Sequence, residues 1–279
     1  MNHVFYMAIE YLRFHWRKTA SLIASISLIL FLPAGLHVVV EKAARELTAR
    51  AKSTPLLLGP EGSAVDLTLA ALYFRDSELD SIDFDESKRV TETGLATGIP
   101  LRVRHKVQTQ PIVGTTIDYF AFRELETARG RLFGMLGECV VGAEAAETLQ
   151  ADVGSDLFSS PSGAFDVAGS FPLKMKVVGV LEPAGTPDDK AVFVDIKTAW
   201  VIEGLAHGHD DLSAPEADDA LLSREGGVAV ASAAVLTYTE ITPVNIDSFH
   251  FHGDPDSCPF DAVVVAPKNR RSAFLMQGR

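Results

Sequence analysis

The stretch GRLFGMLGECVVGAEAAETLQADVGSDLF, residues 130–158, contains strand, helix and turn signals in close succession. Within it, residues 139–142 (CVVG) form a short apolar run that ends in glycine, which predicts a buried strand. Residues 143–149 (AEAAETL) are rich in strong helix formers and predict a helix. Val153, Gly154 and Ser155 then predict a turn into another strand. This order of elements indicates a mixed fold.

Strand patterns flank this stretch on both sides. Apolar and polar residues alternate over residues 98–116, which predicts two paired strands. Residues 65–74 (VDLTLAALYF) fit either a strand or a helix, and the acidic residues 76–86 predict a loop and the start of a helix. Further strands are predicted at residues 56–59, 165–181, 191–195, 227–239, 247–251 and 262–265. These patterns predict an α+β domain with a mixed α/β core, organised in one or two lobes.

Two aspartates mark predicted helix starts in this domain. Asp118 and Asp195 each precede a helical pattern, and an aspartate is a favourable N-cap residue. The predicted helices cover residues 118–126 and 196–205. Residues 207–219 (HGHDDLSAPEADD) are polar and acidic, which predicts an exposed loop.

Residues 19–40 carry no charged side chain and lie between Lys18 and Glu41. The core of this run, residues 20–40, contains 21 residues. A helix of that length extends about 31 Å, and the hydrocarbon core of a bilayer is about 30 Å thick. Pro33 predicts a kink of the kind that membrane helices tolerate. The run therefore predicts one transmembrane helix.

Basic residues crowd the N-terminal side of this run, at Arg13, Arg17 and Lys18. Because basic flanks stay in the cytoplasm, everything after the span is predicted to be exported. A cleaved signal peptide is the alternative, since an apolar run behind a basic segment is also how such peptides begin. Their apolar region is usually only about 7–15 residues long, and the small-residue sequence at 49–51 (ARA) lies beyond a charged stretch.

The segments on both sides of the span are predicted to be helical. Four apolar residues recur at helical spacing before it: Phe5, Ile9, Leu12 and Trp16. This spacing predicts an amphipathic helix on the inner membrane surface, with an extension of the spanning helix as the alternative. Strong helix formers after the span predict a stalk that Pro55 ends. The predicted parts are a cytoplasmic amphipathic segment (1–18), a transmembrane helix (19–40), a stalk helix (41–53) and an exported core domain (54–279).

The net charge of the chain is −12 at pH 7, although its first 18 residues are net basic. The exported part is therefore more acidic than the whole and repels phosphate backbones, which argues against nucleic-acid binding. Its length is enough for a sizeable core. Cys139 and Cys258 lie in a compartment that permits disulfides, but two buried thiols are the favoured prediction.

The common enzyme signatures are absent from the sequence. It contains no Walker A motif, no Gly-x-Ser-x-Gly elbow and no His-Glu-x-x-His site. We therefore predict no catalytic residue and no cofactor, and any ATPase that works with the chain must be a separate subunit.

Two histidine pairs, His207 with His209 and His250 with His252, have the residue types of a metal site and lie near aspartates. On a strand, His250 and His252 would share a face. Solvated loops and strand faces also produce such pairs by chance, so no metal site is predicted and the four histidines are kept as candidates.

A second candidate for metal chemistry combines Asp188, Asp195 and Lys197, which follow the residue pattern of metal-dependent nucleases. The acidic domain lacks the positive surface that DNA binding requires. Asp195 is explained more simply as a helix cap.

Residues 130–158 resemble the periplasmic core domain of FtsX-like, MacB-type ABC transporter permeases. That family shows a Gly-Arg-x-Phe turn, an acidic residue opening an apolar strand, Val-Val-Gly, a short helix and Val-Gly-Asp-x-Leu. The matching residues are Gly130, Arg131, Phe133, Glu138, Val140, Val141, Gly142, Val153, Gly154, Asp156 and Leu157. Ser155 is inserted where the family has its aspartate directly. Residues 176–181 (KVVGVL) and the N-terminal order of amphipathic segment, span and stalk also resemble the family.

The resemblance implies a permease subunit in the bacterial inner membrane, with its N-terminus in the cytoplasm and its bulk in the periplasm. The implied partners are a separate cytoplasmic ATP-binding subunit, a second permease copy in a homodimer, the lipid bilayer and a periplasmic partner protein. Closure of the ATPases would move the spanning helices, and the stalk would carry that movement outward for export or for lipoprotein or other envelope-related transport. Such permeases resume with three more spanning helices, so a chain that stops at Arg279 is expected to be a fragment or a truncated product.

Two other functions stay open at the level of sequence. A signal-anchored periplasmic sensor or ligand-binding module needs only one span, although the 18 residues before the span leave no room for a cytoplasmic output domain. An anchored metal-dependent hydrolase is the third hypothesis, which metal content and activity of the exported domain would test.

Overall fold

The structure of the protein is a computed structural model that describes residues 2–76, 79–160, 172–208, 221–225, 228–231, 238–251, 254 and 257–277. The chain divides into two compact units, residues 1–53 and 54–279. An apolar N-terminal helix precedes a core built on a mixed sheet, so the predicted fold class is confirmed. The borders and roles of the four predicted parts stay predictions.

The first unit consists of two helices, α1 (Asn2–Phe14) and α2 (Trp16–Lys52). His15 separates them because its backbone (φ −101°, ψ 34°) leaves the helical region. Trp16 therefore opens α2 instead of completing α1. Helix α2 is long and apolar enough to cross a membrane by length and composition. Pro33 lies inside α2 without ending it.

Helix α2 ends at Lys52, shortly before the proline that predicts its end. The N–H of Ser53 donates to the carbonyl oxygen of Ala49 at 2.9 Å, which closes the last turn. Pro55 disfavours helical backbone at the residue before it, so the chain cannot continue as a helix. The segment predicted to be a stalk is helical up to Lys52.

The second unit contains fifteen described strands. In chain order they are β1 (Leu56–Leu58), β2 (Ile82–Asp83), β3 (Ala96–Val107), β4 (Gln110–Thr115), β5 (Thr127–Gly130), β6 (Glu138–Val141), β7 (Asp156–Phe158), β8 (Lys174–Leu181), β9 (Val192–Asp195), β10 (Ala206–Gly208), β11 (Leu221–Glu225), β12 (Val228–Ala231), β13 (Phe249–Phe251), β14 (Pro259–Phe260) and β15 (Ala262–Pro267).

Nine of these strands form one mixed sheet in the order β1-β15-β3-β4-β9-β6-β8-β5, with β7 also paired to β8. The pairs β4–β9 and β6–β8 are parallel, and the other pairs in this sheet are antiparallel. The predicted pair of strands in residues 98–116 is confirmed as the hairpin β3–β4. Three two-stranded ribbons, β10–β13, β11–β12 and β14–β2, accompany the sheet.

Among its described residues the second unit also contains six α-helices: α3 (Ala64–Tyr73), α4 (Phe84–Glu92), α5 (Asp118–Arg123), α6 (Ala143–Leu149), α7 (Ile196–Ile202) and α8 (Arg270–Gln277). Helix α6 matches its predicted bounds. The open choice at residues 65–74 is decided in favour of a helix, because the Ser63 side chain accepts from the N–H of Asp66 at 3.2 Å and caps α3.

One predicted cap is confirmed and one is wrong. The Asp195 side chain accepts from the N–H of Lys197 at 2.9 Å and caps α7. Asp118 is instead the first residue inside α5, and Ile117 occupies the N-cap position without a side-chain hydrogen bond. The N–H of Tyr119 is satisfied by the carbonyl of Thr116, so no aspartate cap is needed there.

Some predicted elements fall partly outside the described residues. The predicted strand at 165–181 is confirmed from Lys174 onward as β8, and residues 165–171 lie outside. The predicted loop at 207–219 is wrong at its start, since His207 and Gly208 belong to β10, and the rest lies outside. Of residues 227–239, the structure describes 228–231, which form β12, and 238–239.

The nine-stranded sheet buries both of its faces, which explains why its central strands are apolar throughout. Side chains alternate between the faces of a strand. Accordingly, Cys139 and Val141 of β6 belong to one apolar cluster and Val140 to another. Cys258 is buried in a third cluster, and the two cysteines form no disulfide. Burial raises the pKa of the Cys139 thiol and keeps it protonated.

Candidate functional site

The loop of residues 131–137 connects β5 to β6 and is closed by Glu138, the first residue of β6. Glu138 Oε2 accepts hydrogen bonds from the backbone N–H groups of Gly134 (2.8 Å) and Met135 (3.1 Å). Arg131 donates to both carboxylate oxygens, with Nη1 2.8 Å from Oε2. The Arg131 hydrogen bond, assisted by these N–H groups, holds the pKa of the Glu138 carboxyl below its usual range. The family-like turn and the acidic residue therefore form one structural unit.

Glu138→Ala is expected to lower the free energy of unfolding by about 1–3 kcal/mol, because it removes hydrogen bonds to a charged acceptor. The matched control is Glu144→Ala, which breaks an exposed ion pair with Lys190 (3.4 Å) and should cost less than about 1 kcal/mol. Urea unfolding of the full chain in detergent micelles measures both. Fluorescence of buried Trp200 in a Trp16→Phe background isolates the second unit, since the chain has two tryptophans.

The Glu138→Ala variant should also be less sensitive to acid. A carboxyl whose pKa is lowered by folding contributes stability above its unfolded-state pKa, which is about 4.3 for glutamate. That contribution is lost as the pH falls through the lower folded-state pKa. The stability difference between the wild type and Glu138→Ala should therefore shrink below about pH 4.3. A difference that stays constant through that range, or an equal cost of Glu144→Ala at pH 7, would contradict the role of Glu138.

Other motif residues hold neighbouring backbone segments close together. Phe133 is buried against Phe120, with ring centroids 5.6 Å apart. Gly130 has φ +77°, and a side chain there would meet the backbone of β8. Gly142 lies against the turn at Pro187–Lys190, where a Cβ would stand 2.5 Å from the Asp189 carbonyl oxygen. These residues shape the fold and offer no reacting group.

The acidic residues of the nuclease-like pattern serve the protein's own hydrogen bonds. Asp188 is buried and accepts from the Tyr119 hydroxyl (2.6 Å) and from Thr186 Oγ1 (2.7 Å). Asp195 caps α7, and burial raises the pKa of its carboxyl. Among the described residues, no group of three or more His, Cys, Asp or Glu side chains is placed to hold a metal ion.

The structure brings together two of the four candidate histidines in a pairing that the sequence does not suggest. His207 of β10 lies directly opposite His250 of β13, with ring centroids 5.0 Å apart. Their predicted partners, His209 and His252, lie outside the described residues. His207 and His250 therefore form a cross-strand pair.

A buried ionic cluster on β3 has no counterpart in the sequence predictions. Arg102 Nη1 lies 3.0 Å from Asp261 Oδ1, and its Nε donates to Glu203 at 3.0 Å. Arg104 Nε donates to the same Asp261 oxygen at 2.8 Å, and the Val103 N–H donates to the other at 2.6 Å. This cluster ties β3 to the start of β15 and to the end of α7. The alternation of Arg102 and Arg104 on one face of a strand is the only sequence signal for it.

In the first unit, apolar side chains of α1 and α2 are exposed on the outside of the helices. An apolar groove of about 330 Å³ lies where the helices meet, lined by Ile9, Leu12, Arg13, Trp16, Thr19, Ala20 and Ile23. The Arg17 guanidinium lies 5.7 Å from the centre of the Trp16 ring. Exposed apolar helices with a basic and aromatic end suit a lipid environment, in which tryptophan favours the interface.

Comparison with known proteins gives no match among curated proteins. The periplasmic region of MacB from Actinobacillus actinomycetemcomitans aligns with 12% identity and a TM-score of 0.37, over 51% of this chain and 64% of that one. The chain thus spans less than two thirds of that structure. The extracellular domain of the ABC-type transporter YknZ from Gram-positive bacteria aligns with 16% identity and a TM-score of 0.35, over 53% of this chain and 75% of that one.

The sequence itself matches the family described as MacB-like periplasmic core domain over residues 23–237. This match covers more than half of the 279 residues. The chain therefore belongs to the MacB-like periplasmic core domain family, whose domain is a component of ABC transporter permeases.

Proposed function

We propose that this chain is a permease subunit whose helix α2 couples a separate cytoplasmic ATP-binding subunit to the exported domain. The observation that carries the proposal is the continuity of α2 over 37 residues. A helix of that length extends about 55 Å, whereas the hydrocarbon core is about 30 Å thick. Nearly half of α2 therefore lies beyond the bilayer core. The helix continues past Pro33, which removes one backbone hydrogen bond without ending it, so span and stalk form one helical element.

The proposed orientation places α1 in the cytoplasm and the acidic second unit in the periplasm. Arg13, Arg17 and Lys18 lie before the apolar part of α2, and cytoplasmic flanks are rich in such residues. Helix α1 then lies on the inner surface, where movement of the ATP-binding subunits would be passed to α2. A second copy of the chain completes the proposed complex, so that two exported domains open and close on substrate, lipid or a periplasmic partner.

The coupling test breaks α2 just outside its apolar part. Ala43 is exposed, so Ala43→Pro removes no side-chain packing, but it removes a backbone hydrogen bond and costs the helix about 3 kcal/mol or more. Ala43→Gln keeps a good helix former at the same position and is the matched control. The full chain should copurify with an ATP-binding subunit in all three forms. Addition of ATP should change the protease sensitivity of the exported domain in the wild type and Ala43→Gln, and not in Ala43→Pro.

Two results would overturn the proposal. An unchanged ATP response in Ala43→Pro would show that α2 does not carry the coupling. Absence of any copurifying ATP-binding subunit would favour a signal-anchored sensor or binding module.

The proposed orientation is tested with an impermeant thiol reagent on spheroplasts. The reagent should label Glu92→Cys, an exposed position, and spare His3→Cys until the membrane is opened. The reverse pattern would contradict it.

A further inference from the structure

The ribbon β10–β13 has one face packed on the second unit and the other turned outward. Ala206 is buried, and Phe251, which lies opposite it, packs against Trp200 with ring centroids 5.9 Å apart. Side chains alternate along a strand, so His207 and His250 lie together on the other face. His250 is exposed and His207 is half-buried. Both imidazole rings therefore lie at the surface of the second unit.

The distance between the two rings fits a shared metal ion. Two imidazoles bound to one tetrahedral Zn²⁺ through nitrogens at about 2.0–2.1 Å have ring centroids roughly 5 Å apart. The centroids of His207 and His250 are 5.0 Å apart, and the rings are inclined at 66°. This inclination excludes a flat stack of the two rings. Edge-to-face packing of aromatic rings has the same separation, so the distance is consistent with a shared ion but is not specific for one.

A second observation concerns the orientation of His250. Its Nδ1 lies 3.1 Å from the carbonyl oxygen of Ser248. Because a carbonyl oxygen only accepts, a neutral His250 imidazole in this contact carries its proton on Nδ1 and its lone pair on Nε2. Metal-binding histidines almost always donate their other ring N–H to a carbonyl or carboxylate, which fixes the ring and raises its basicity. His250 is held in that arrangement.

We propose that His207 and His250 bind a divalent transition-metal ion, with Zn²⁺ and Cu²⁺ as the favoured ions. Imidazole is a good ligand for both ions, and the net charge of −12 attracts cations to the chain. Two protein ligands leave coordination positions for water or for a ligand from outside the pair. The site is separate from the proposed coupling by α2, so its failure would leave the permease proposal untouched.

The test uses the untagged full chain in detergent micelles, freed of metal with a chelator. Zn²⁺ titration calorimetry gives the affinity, and electron paramagnetic resonance of the Cu²⁺ form shows how many nitrogens bind. His207→Ala and His250→Ala should each weaken binding at least about tenfold, since even the loss of an outer-shell partner costs about 10–100-fold. The Cu²⁺ signal should lose one coordinated nitrogen in each variant. His37→Ala changes an exposed histidine of the first unit and should leave both readouts unchanged.

Thermal unfolding of each variant distinguishes loss of a metal ligand from loss of the fold. In the absence of metal, the double variant His207→Ala/His250→Ala should have the same melting temperature as the wild type. Unchanged Zn²⁺ affinity in that double variant would overturn the proposal. So would a site that is lost in His209→Ala/His252→Ala but kept in His207→Ala. If the two rings only pack edge to face and bind no metal, the double variant should show the same Zn²⁺ affinity as the wild type.

Discussion

Asp261→Ala is expected to lower the free energy of unfolding by about 3–5 kcal/mol, the usual cost of removing one partner from a buried ion pair. The Asp261 side chain is only 10% exposed and accepts three hydrogen bonds, from Arg102, Arg104 and the Val103 backbone. The Arg102 side chain is 5% exposed, and its guanidinium pairs with the carboxylates of Asp261 and Glu203. Asp261→Ala removes one of these two carboxylates. The penalty arises mainly from the charge that stays buried, because water cannot replace the lost carboxylate.

The matched control is Asp76→Ala. Asp76 also pairs with a cation of β3, Lys106, at 2.6 Å, but its side chain is 76% exposed. Exposed ion pairs contribute about 0–1 kcal/mol, so this variant should unfold almost like the wild type. Urea unfolding followed by Trp200 fluorescence in the Trp16→Phe background measures both variants. A cost of Asp261→Ala no greater than that of Asp76→Ala would show that the cluster is not a structural anchor of β3.

This cluster also shows where prediction from the sequence ends. Arg102 and Asp261 are 159 positions apart, and Arg102 and Glu203 are 101 apart. Periodicity describes which residues of one element share a face, and it carries no information about which strand lies beside which. The strand β6 and the helix α6 were predictable because their apolar run, helix formers and glycines are local signals. The ionic contacts depend on the order of strands β15-β3-β4 and were not.

The histidines make the same point at the candidate site. Sequence proximity pairs His207 with His209 and His250 with His252, whereas the register of β10 on β13 places His207 opposite His250. A register is fixed by the packing of the opposite face, here by Ala206 and Phe251, and not by the histidines themselves. The residue types of a metal site were therefore visible in the sequence, but their arrangement was not.

Gly130→Ala is expected to destabilise the second unit by about 4 kcal/mol or more, because two separate costs coincide at this position. The backbone has φ +77°, which disfavours any residue with a Cβ, and that Cβ would lie 2.9 Å from Gly179 Cα and closer still to the Val178 carbonyl oxygen. Backbone atoms of a paired strand cannot move aside as a side chain can. Since domains are stable by about 5–15 kcal/mol in total, this one methyl group would remove a large share of the stability.

Two other glycines of the same motif separate these costs. Gly154 has φ +94°, and a Cβ there would have nothing within 4 Å, so Gly154→Ala should cost only the backbone strain of about 1–2 kcal/mol. Gly142 has φ −63°, which any residue adopts, but a Cβ would stand 2.5 Å from the Asp189 carbonyl oxygen. Gly142→Ala should therefore cost only the steric clash, about 1–3 kcal/mol or more.

We therefore predict that Gly130→Ala has the lowest urea midpoint of the three variants and Gly154→Ala the highest. The midpoints are measured by Trp200 fluorescence in the Trp16→Phe background. A Gly130→Ala variant that does not fold agrees with this order, because the other two variants still report the single costs. If Gly130→Ala unfolded at the same urea concentration as Gly154→Ala, the contact between β5 and β8 would have to be looser than the structure has it. The glycine of the Gly-Arg-x-Phe turn would then be required for its backbone angle alone.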